Sequence, residues 1–379
     1  MKNFPSPRRV LIVQPYGIGD LLFLTPVLRA LRLCPTVETV DLLLGSRTEA
    51  VVRSNPHIDK IYTIDKDRFH RQKKWDAWRE TFELGRELAG RHYDLLLDYS
   101  LRGEYAFFSQ FFLGIRRRAG FSYKNRGFFH NIRLPLPDGF AGRHVADYVC
   151  DLAEAAGIRV RDRFLEFYTT PRDREAAEII LKEKFQMLPQ NVLAVSAGGG
   201  ESWGADAHFK RWPPAFFAEL INHLKGEFNI DAVAILGSRR EKEIGEEVKR
   251  GLQVPCQNFS GEISLETAAA MIEKAALFIG NDGGLVHLAS ALHRPVMAFY
   301  GPVDPKVYGP YPERPGAAAI YKEGLECRPC YQRFRYNSAC VTRECLQQLT
   351  PREVLLLAQM PIKEISRMIR AGKEKSAVS

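Results

Sequence analysis

The feature that most limits this chain's choice of fold is an alternation that occurs twice. Short apolar runs, "RVLIVQ" (9–14), "TVDLLLG" (39–45) and "YDLLLDYS" (93–100), are separated by amphipathic stretches such as "LLFLTPVLRALR" (21–32) and "WDAWRETFELGRELAG" (75–90). Runs this apolar are strands buried on both faces, and the stretches between them are the helical crossovers of βαβ units on a parallel sheet. The pattern lapses over the Gly-, Pro- and aromatic-rich 121–142, gives a helix over 144–156, and restarts after "TTPRD" (169–173). A helix over 174–187 then leads to the strands "NVLAVSAGGG" and "DAVAILGS" and the helices "PPAFFAELINHLKG", "REKEIGEEVKRG" and "SLETAAAMIEKA". Last comes the unit "AALFIGNDGGLVHLASALHRPVMAFYGPVDP" (275–305). The reading is an α/β chain of two consecutive domains, 1–172 and 173–350. A tail over 351–379 is helical on both sides of Pro361, with Ile362, Ile365 and Ile369 on one face.

A length of 379 residues suits two domains that each bury a core. No apolar run approaches the ~20 residues that span a bilayer. The run Val10–Val13 is too short for the core of an export signal, so a cytoplasmic protein is expected. Seven cysteines without an export signal argue against a disulfide framework. The net charge of +9 is uneven: residues 1–172 hold 28 Lys/Arg against 20 Asp/Glu. Most of the excess lies in 101–133, with Arg102, Arg116, Arg117, Arg118, Lys124, Arg126 and Arg133 against Glu104. Such a field favours an anionic partner, although a solvated basic face has the same composition.

Ligands of open α/β sheets bind outside the carboxyl ends of the strands, where loops lead into helix N-termini. Three loops qualify. Asn281-Asp282-Gly283-Gly284 interrupts two apolar runs and reads two ways: a helix start capped by Asp282, or a phosphate cradle of bare amides, with His287 in the helix that follows. Gly198 and Gly199 in "SAGGG" form a second cradle, leading to "HFKRWPP", whose Lys210 is placed to reach a diphosphate. The third loop, "PYGIGDLL" (15–22), departs from the dinucleotide fingerprint, with Leu22 where the third glycine belongs. No acidic residue closes the next strand, because Asp41 begins it, and a nicotinamide or flavin enzyme is disfavoured. Asp20 in this loop is then either an N-terminal cap or a carboxylate offered to a ligand.

Taken together these segments resemble glycosyltransferase family 9, the lipopolysaccharide heptosyltransferases and their relatives. The resemblance runs through "RRVLIVQPYGIGDLLFLTPVLRALR", "YDLLLDYSLRGEYA", "GIRRRAGFS" and "HVADYVCDLAEAAGI". It is most specific over "FSGEISLETAAAMIEKAALFIGNDGGLVHLASALHRPVMAFYGPVDPKVYGPY". It implies a GT-B fold, two facing Rossmann-like domains, with the acceptor on the first and a nucleotide-diphosphate sugar on the second. It also implies an inverting transfer without metal or other cofactor. By the same resemblance Asp20 is the base and Gly19 flanks the acceptor, while Lys210, Gly283, Gly284 and the helix dipole meet the diphosphate. Asn281, Asp282 and His287 surround the donor, and Gly237, Ser238 and Glu241 lie where base and ribose are received. Acceptors of the family are anionic lipid-linked glycan cores, which Arg102, Arg116, Arg117, Arg118, Lys124 and Arg126 suit, as does peripheral contact with the inner membrane. The tail helix lies on that membrane or packs back on the protein. No nucleic-acid partner is implied.

Two departures bear on the sugar. Gly283 and Leu285 stand where the family has Thr and Pro, and the "SAGGGESWGADAHFKRW" loop is long, so heptose is the default donor sugar. Cys327, Cys330, Cys340 and Cys345 have near-zinc spacing, which fits packed thiols as well as a bound ion, and no metal is assigned. Two other readings share the architecture. A sugar-nucleotide epimerase would turn over donor without acceptor, and a non-catalytic nucleotide-sugar-binding protein would keep its function without Asp20.

Overall fold

In a computed structural model that describes residues 6–65, 74–124, 126–337 and 339–378, the chain divides into two units, one ending at Tyr168 and the other beginning at Thr169. The first runs β1 (Arg9–Gln14), α1 (Ile18–Arg32), β2 (Thr39–Gly45), β3 (Lys60–Ile64), α2 (Lys74–Gly90), β4 (Leu95–Asp98), α3 (Gly103–Phe111), β5 (Arg117–Ser122), β6 (Ile132–Pro135) and α4 (Val145–Ala155). Its six strands are parallel in the order β3-β2-β1-β4-β5-β6.

The second unit runs α5 (Pro171–Phe185), β7 (Val192–Ser196), α6 (Pro214–Leu224), β8 (Ala232–Ile235), α7 (Lys242–Gly251), β9 (Cys256–Asn258), α8 (Leu265–Lys274), β10 (Leu277–Asn281) and α9 (Gly284–Ala291). It continues through β11 (Val296–Tyr300), α10 (Pro305–Tyr308), β12 (Ala317–Tyr321), α11 (Glu344–Gln347), α12 (Pro351–Leu357) and α13 (Gln359–Val378). Its sheet, β12-β11-β10-β7-β8-β9, is also all parallel. Counted within its own unit, the order is the same as in the first. Each sheet therefore reverses its winding once, between β1 and β4 and between β7 and β10, and such reversals open crevices for ligands.

Local chemistry explains the helices that frame these points. Pro26 lies inside α1 and cannot bond the carbonyl of Leu22, but the Thr25 hydroxyl donates to that carbonyl at 2.7 Å and satisfies it. Pro361 falls in the first turn of α13, where a missing N–H costs nothing, so the helix passes through it. Ile362 and Ile365 are buried in the second unit's core with Trp212, Phe217 and Phe299, which accounts for the apolar face of the tail. That face is therefore not available to a membrane. Among the described residues no helix is long and apolar enough to cross a bilayer.

Candidate active site

At the second unit's reversal, Asn281 ends β10 as a buried clamp. Its Oδ1 accepts from the Trp212 amide at 3.0 Å and its Nδ2 donates to the Ala197 carbonyl at 2.7 Å. The Trp212 ring is fully buried, stacks on Phe299 at 4.0 Å, and donates Nε1–H to the Leu349 carbonyl at 2.7 Å. Lys210 is thus tethered two residues from a fixed anchor. Its ammonium lies 2.7 Å from the Asp282 carboxylate, and both side chains are about 95% buried, at 4% and 5% exposure. Asp282 is consequently not the cap of α9: the residue at the N-cap position is Gly283, which has no side chain, so no side-chain bond caps the first turn.

The loop after β7 closes the cradle. Gly199 and Gly200 take φ of +86° and +91°, a region that favours glycine, and a Cβ at Gly199 would press on Lys210 at 3.3 Å. Arg211 Nε donates to the Gly198 carbonyl at 2.7 Å. Glu241 is buried between this loop and the one after β8: its carboxylate accepts from the Gly200 amide at 2.9 Å and the Ser238 amide at 2.8 Å. Both oxygens are engaged, so Glu241 joins the Gly198–Gly200 and Gly237–Ser238 loops, with second lone pairs left for a hydroxyl. His287 is buried in the first turn of α9.

At the first unit's reversal, Gly17 starts α1 and Asp20 occupies its third position. Asp20 Oδ2 accepts from the Gly17 amide at 2.9 Å, half of a capping box, since Gly17 has no side chain to return the bond. Asp20 remains partly exposed, as does Gly19. The Tyr16 hydroxyl donates to the Ser100 carbonyl, and burial raises its pKa, opposed by Arg102 and reinforced by Asp20 and Asp98. The ends of β1 and β4 therefore meet around one tyrosine. Asp98 is buried, accepts from the Ser100 amide at 2.9 Å and faces His130 Nε2 at 3.0 Å. Lys124 and Arg126 follow the carboxyl end of β5 and are exposed at this same edge, where the Arg126 carbonyl lies within 3.0 Å of the Cβ position of Gly103.

The arginine triplet is elsewhere. Arg117 pairs with Leu95, three residues (about 10 Å) before the strand end that Asp98 marks. Its guanidinium is buried and donates to the Ala156 carbonyl, and burial lowers its pKa. Arg118 binds the carbonyls of Ile115 and Phe129 and the Gln110 side chain at 2.9 Å. Arg116 precedes them at the amino edge. The structure therefore does not bring these three to the strand end that Asp20 follows, and Arg117 and Arg118 are taken up by backbone carbonyls. Charge counting found them because composition carries no direction along a strand. Tyr16, Asp98, His130, Arg211 and Trp212 were missed; an acid closing an apolar strand, as Asp98 does, is the one signal that marks such a residue in advance.

All seven cysteines are free thiols. Cys345 is buried with its pKa pushed up to about 11 by that burial, and Cys330 is also raised, by burial and by Cys340 and Cys327. Among the described residues no group of three or more His, Cys, Asp or Glu is gathered to hold a metal ion.

The family profile "Glycosyltransferase family 9 (heptosyltransferase)" matches residues 81–339. The chain belongs to glycosyltransferase family 9. It is 26% identical over 316 residues to lipooligosaccharide heptosyltransferase 2 of Haemophilus influenzae, covering 80% of this chain and 86% of that protein. It is 25% identical over 306 residues to lipopolysaccharide heptosyltransferase 2 of Escherichia coli, covering 78% and 84%. Its fold matches the E. coli ADP-heptose lipopolysaccharide heptosyltransferase II with a TM-score of 0.69 at 21% identity, over 93% of this chain and 98% of that one. A family 9 glycosyltransferase from Veillonella parvula matches at 0.74 and 19%, over 94% and 97%. The two parallel sheets are those of a GT-B glycosyltransferase.

Proposed function

We propose that this glycosyltransferase moves heptose from ADP-heptose to a hydroxyl of a lipopolysaccharide core or a related lipid-linked glycan, with inversion at the anomeric carbon. The names of the relatives support both heptose and this acceptor class. The second unit, 173–350 with its 351–379 tail, takes the donor, and the first, 1–172, takes the acceptor. Asp20 accepts the proton of the attacking hydroxyl as the new bond to the anomeric carbon forms. The bond from that carbon to the diphosphate breaks on the opposite face. The departing ADP is held by Lys210 and the Gly283 and Gly284 amides, in the role a divalent cation fills in other enzymes. Asp282 keeps the buried ammonium in place, and Asn281 and His287 complete the donor surroundings. Glu241, with Gly237, Ser238, Gly198 and Gly199, shapes the surface for ribose and base. On the first unit Gly19, Arg102, Lys124 and Arg126 receive the anionic acceptor, which brings the enzyme to the cytoplasmic face of the inner membrane.

The observation that carries this reading is the buried Lys210–Asp282 pair set against a helix start that no side chain caps. The test is Asp20→Asn, which preserves the acceptor atom for the Gly17 amide and removes the base. Transfer should fall about 10²–10⁴-fold, while ADP-heptose still raises the melting temperature as it does for the unmodified enzyme. Near-normal turnover by Asp20→Asn, or stabilisation by UDP-sugars and not by ADP-heptose, refutes the assignment.

A further inference from the structure

We infer that the outer face of α3 and the turn after β5 form a docking surface for an anionic phospholipid bilayer. Six phenylalanines pack there into one continuous patch. Phe107 lies 4.8 Å from Phe111, 6.4 Å from Phe112 and 5.1 Å from Phe129. Phe108 stacks on Phe112 at 5.0 Å, and Phe128 meets Phe129 at 5.3 Å. Phe111, Phe112 and Phe128 are 59%, 63% and 73% exposed, which is unusual for a cluster that touches itself so extensively.

The patch is built, not collapsed. Arg133 donates to the carbonyls of Phe128 and His130 at 2.8 and 2.7 Å, and Arg118 to that of Phe129 at 2.8 Å, so the turn holds its rings outward. Exposed Arg116, Lys124, Arg126 and Arg133 share the segment, where Glu104 is the one acid and is already paired with Arg102 at 2.9 Å. Aromatic rings at the boundary of the acyl region, with cations at headgroup level, are what an anionic leaflet selects. A second copy fits less well, because a two-fold contact would set each cation against its own kind. The surface deepens the reading of a lipid-linked acceptor and rests on it for its purpose: α3 starts at the Arg102 loop beside Tyr16 and is about 13 Å long.

The experiment is co-sedimentation of the full chain with vesicles of phosphatidylethanolamine and phosphatidylglycerol, against phosphatidylcholine alone. The unmodified protein should bind the anionic vesicles and scarcely the neutral ones. The triple variant Phe111→Ser, Phe112→Ser, Phe128→Ser should lose at least about tenfold in binding, and Arg116→Glu about fivefold or more. Both variants should keep the melting temperature and the donor-induced shift of the unmodified protein. Equal vesicle binding by the folded triple variant overturns the inference, as does a dimer in the absence of lipid that the triple variant converts to monomer. Loss of the ADP-heptose shift in the unmodified protein overturns the donor reading instead, and leaves the vesicle result standing.

Discussion

Replacing Lys210 by Met separates the structural from the chemical part of the proposed donor cradle. The ammonium and the Asp282 carboxylate are 2.7 Å apart with 4% and 5% of their side chains exposed, so neither has water to fall back on. Removing one partner of such a pair strands the other and costs about 3–5 kcal/mol. At roughly 2–4 °C per kcal/mol for a unit this large, the second unit's transition should drop by roughly 6–20 °C in calorimetry without donor. Asp282→Asn alone strands the ammonium and should also destabilise. The double variant strands nothing, so it should be more stable than the sum of the single effects allows, with a coupling of about 0.5–3 kcal/mol. On the proposed function it should nevertheless remain inactive and bind ADP weakly, because the charge proposed to meet the diphosphate is gone. A Lys210→Met protein that melts with the unmodified one, or a double variant no better than additive, refutes the buried pair.

Gly198→Ala places a Cβ 1.9 Å from Glu241 Oε1 and must displace the carboxylate that holds the Gly200 and Ser238 amides; a loss of about 1–3 kcal/mol in thermal melts is expected. Gly283→Ala, extended at φ 178° with its nearest neighbour at 3.5 Å, should change stability by less than about 0.5 kcal/mol. In the first unit burial holds the His57 pKa below its usual 6.5, against the pull of Glu166 and with the help of Arg29 and Arg32. The unfolded chain then takes up the proton more readily. His57 therefore contributes stability in full above about pH 6.5 and loses it as pH falls through the folded value; denaturant titrations of His57→Gln should show a flatter slope there. Iodoacetamide at pH 8 should label exposed Cys327 and spare Cys150 and Cys345, whose thiols burial pushes up to about 12 and about 11, as peptide mass mapping would reveal.

Strands buried on both faces were legible because their apolar runs are continuous but for Asp41 near the start of β2: β1 and β2 begin and end where the runs do. The α1 helix starts at Ile18, three residues before its apolar stripe, because Gly17 and Asp20 already cap it. The edge strands β3 and β6 went unread, since alternating exposure and the Pro135 of β6 look like loop until a neighbour supplies the ladder. The strand β5 opens with arginines, unlike the apolar runs read as strands, and it went unread just before the segment read as irregular. At the sites, position along the chain brought forward Lys210, Asn281 and Asp282, and the resemblance brought forward Glu241. How they pair was not legible, because a carboxylate that neutralises a lysine and one that caps a helix read identically as Asp282 in a sequence.

The two sheets share one strand order, yet no internal repeat is visible, and the strand-end residues show how the same scaffold came to hold different chemistry. Asp98 and Asn281 close the strands on the far side of each reversal and are both buried polar side chains, at 1% and 2% exposure. Asn281 has a donor and an acceptor, and uses them to draw the Ala197 loop and the Trp212 amide together. That contraction carries Lys210 inward onto Asp282. Asp98 is an acceptor when ionised, and it takes the Ser100 amide and faces His130. The loop after β1 is tied by the Tyr16–Ser100 and Asp20–Gly17 bonds, and the Asp20 carboxylate stays partly exposed. A neutral amide at one reversal thus draws a lysine into a buried pair, and a carboxylate at the other leaves a second carboxylate partly exposed, as the base of the proposed transfer must be.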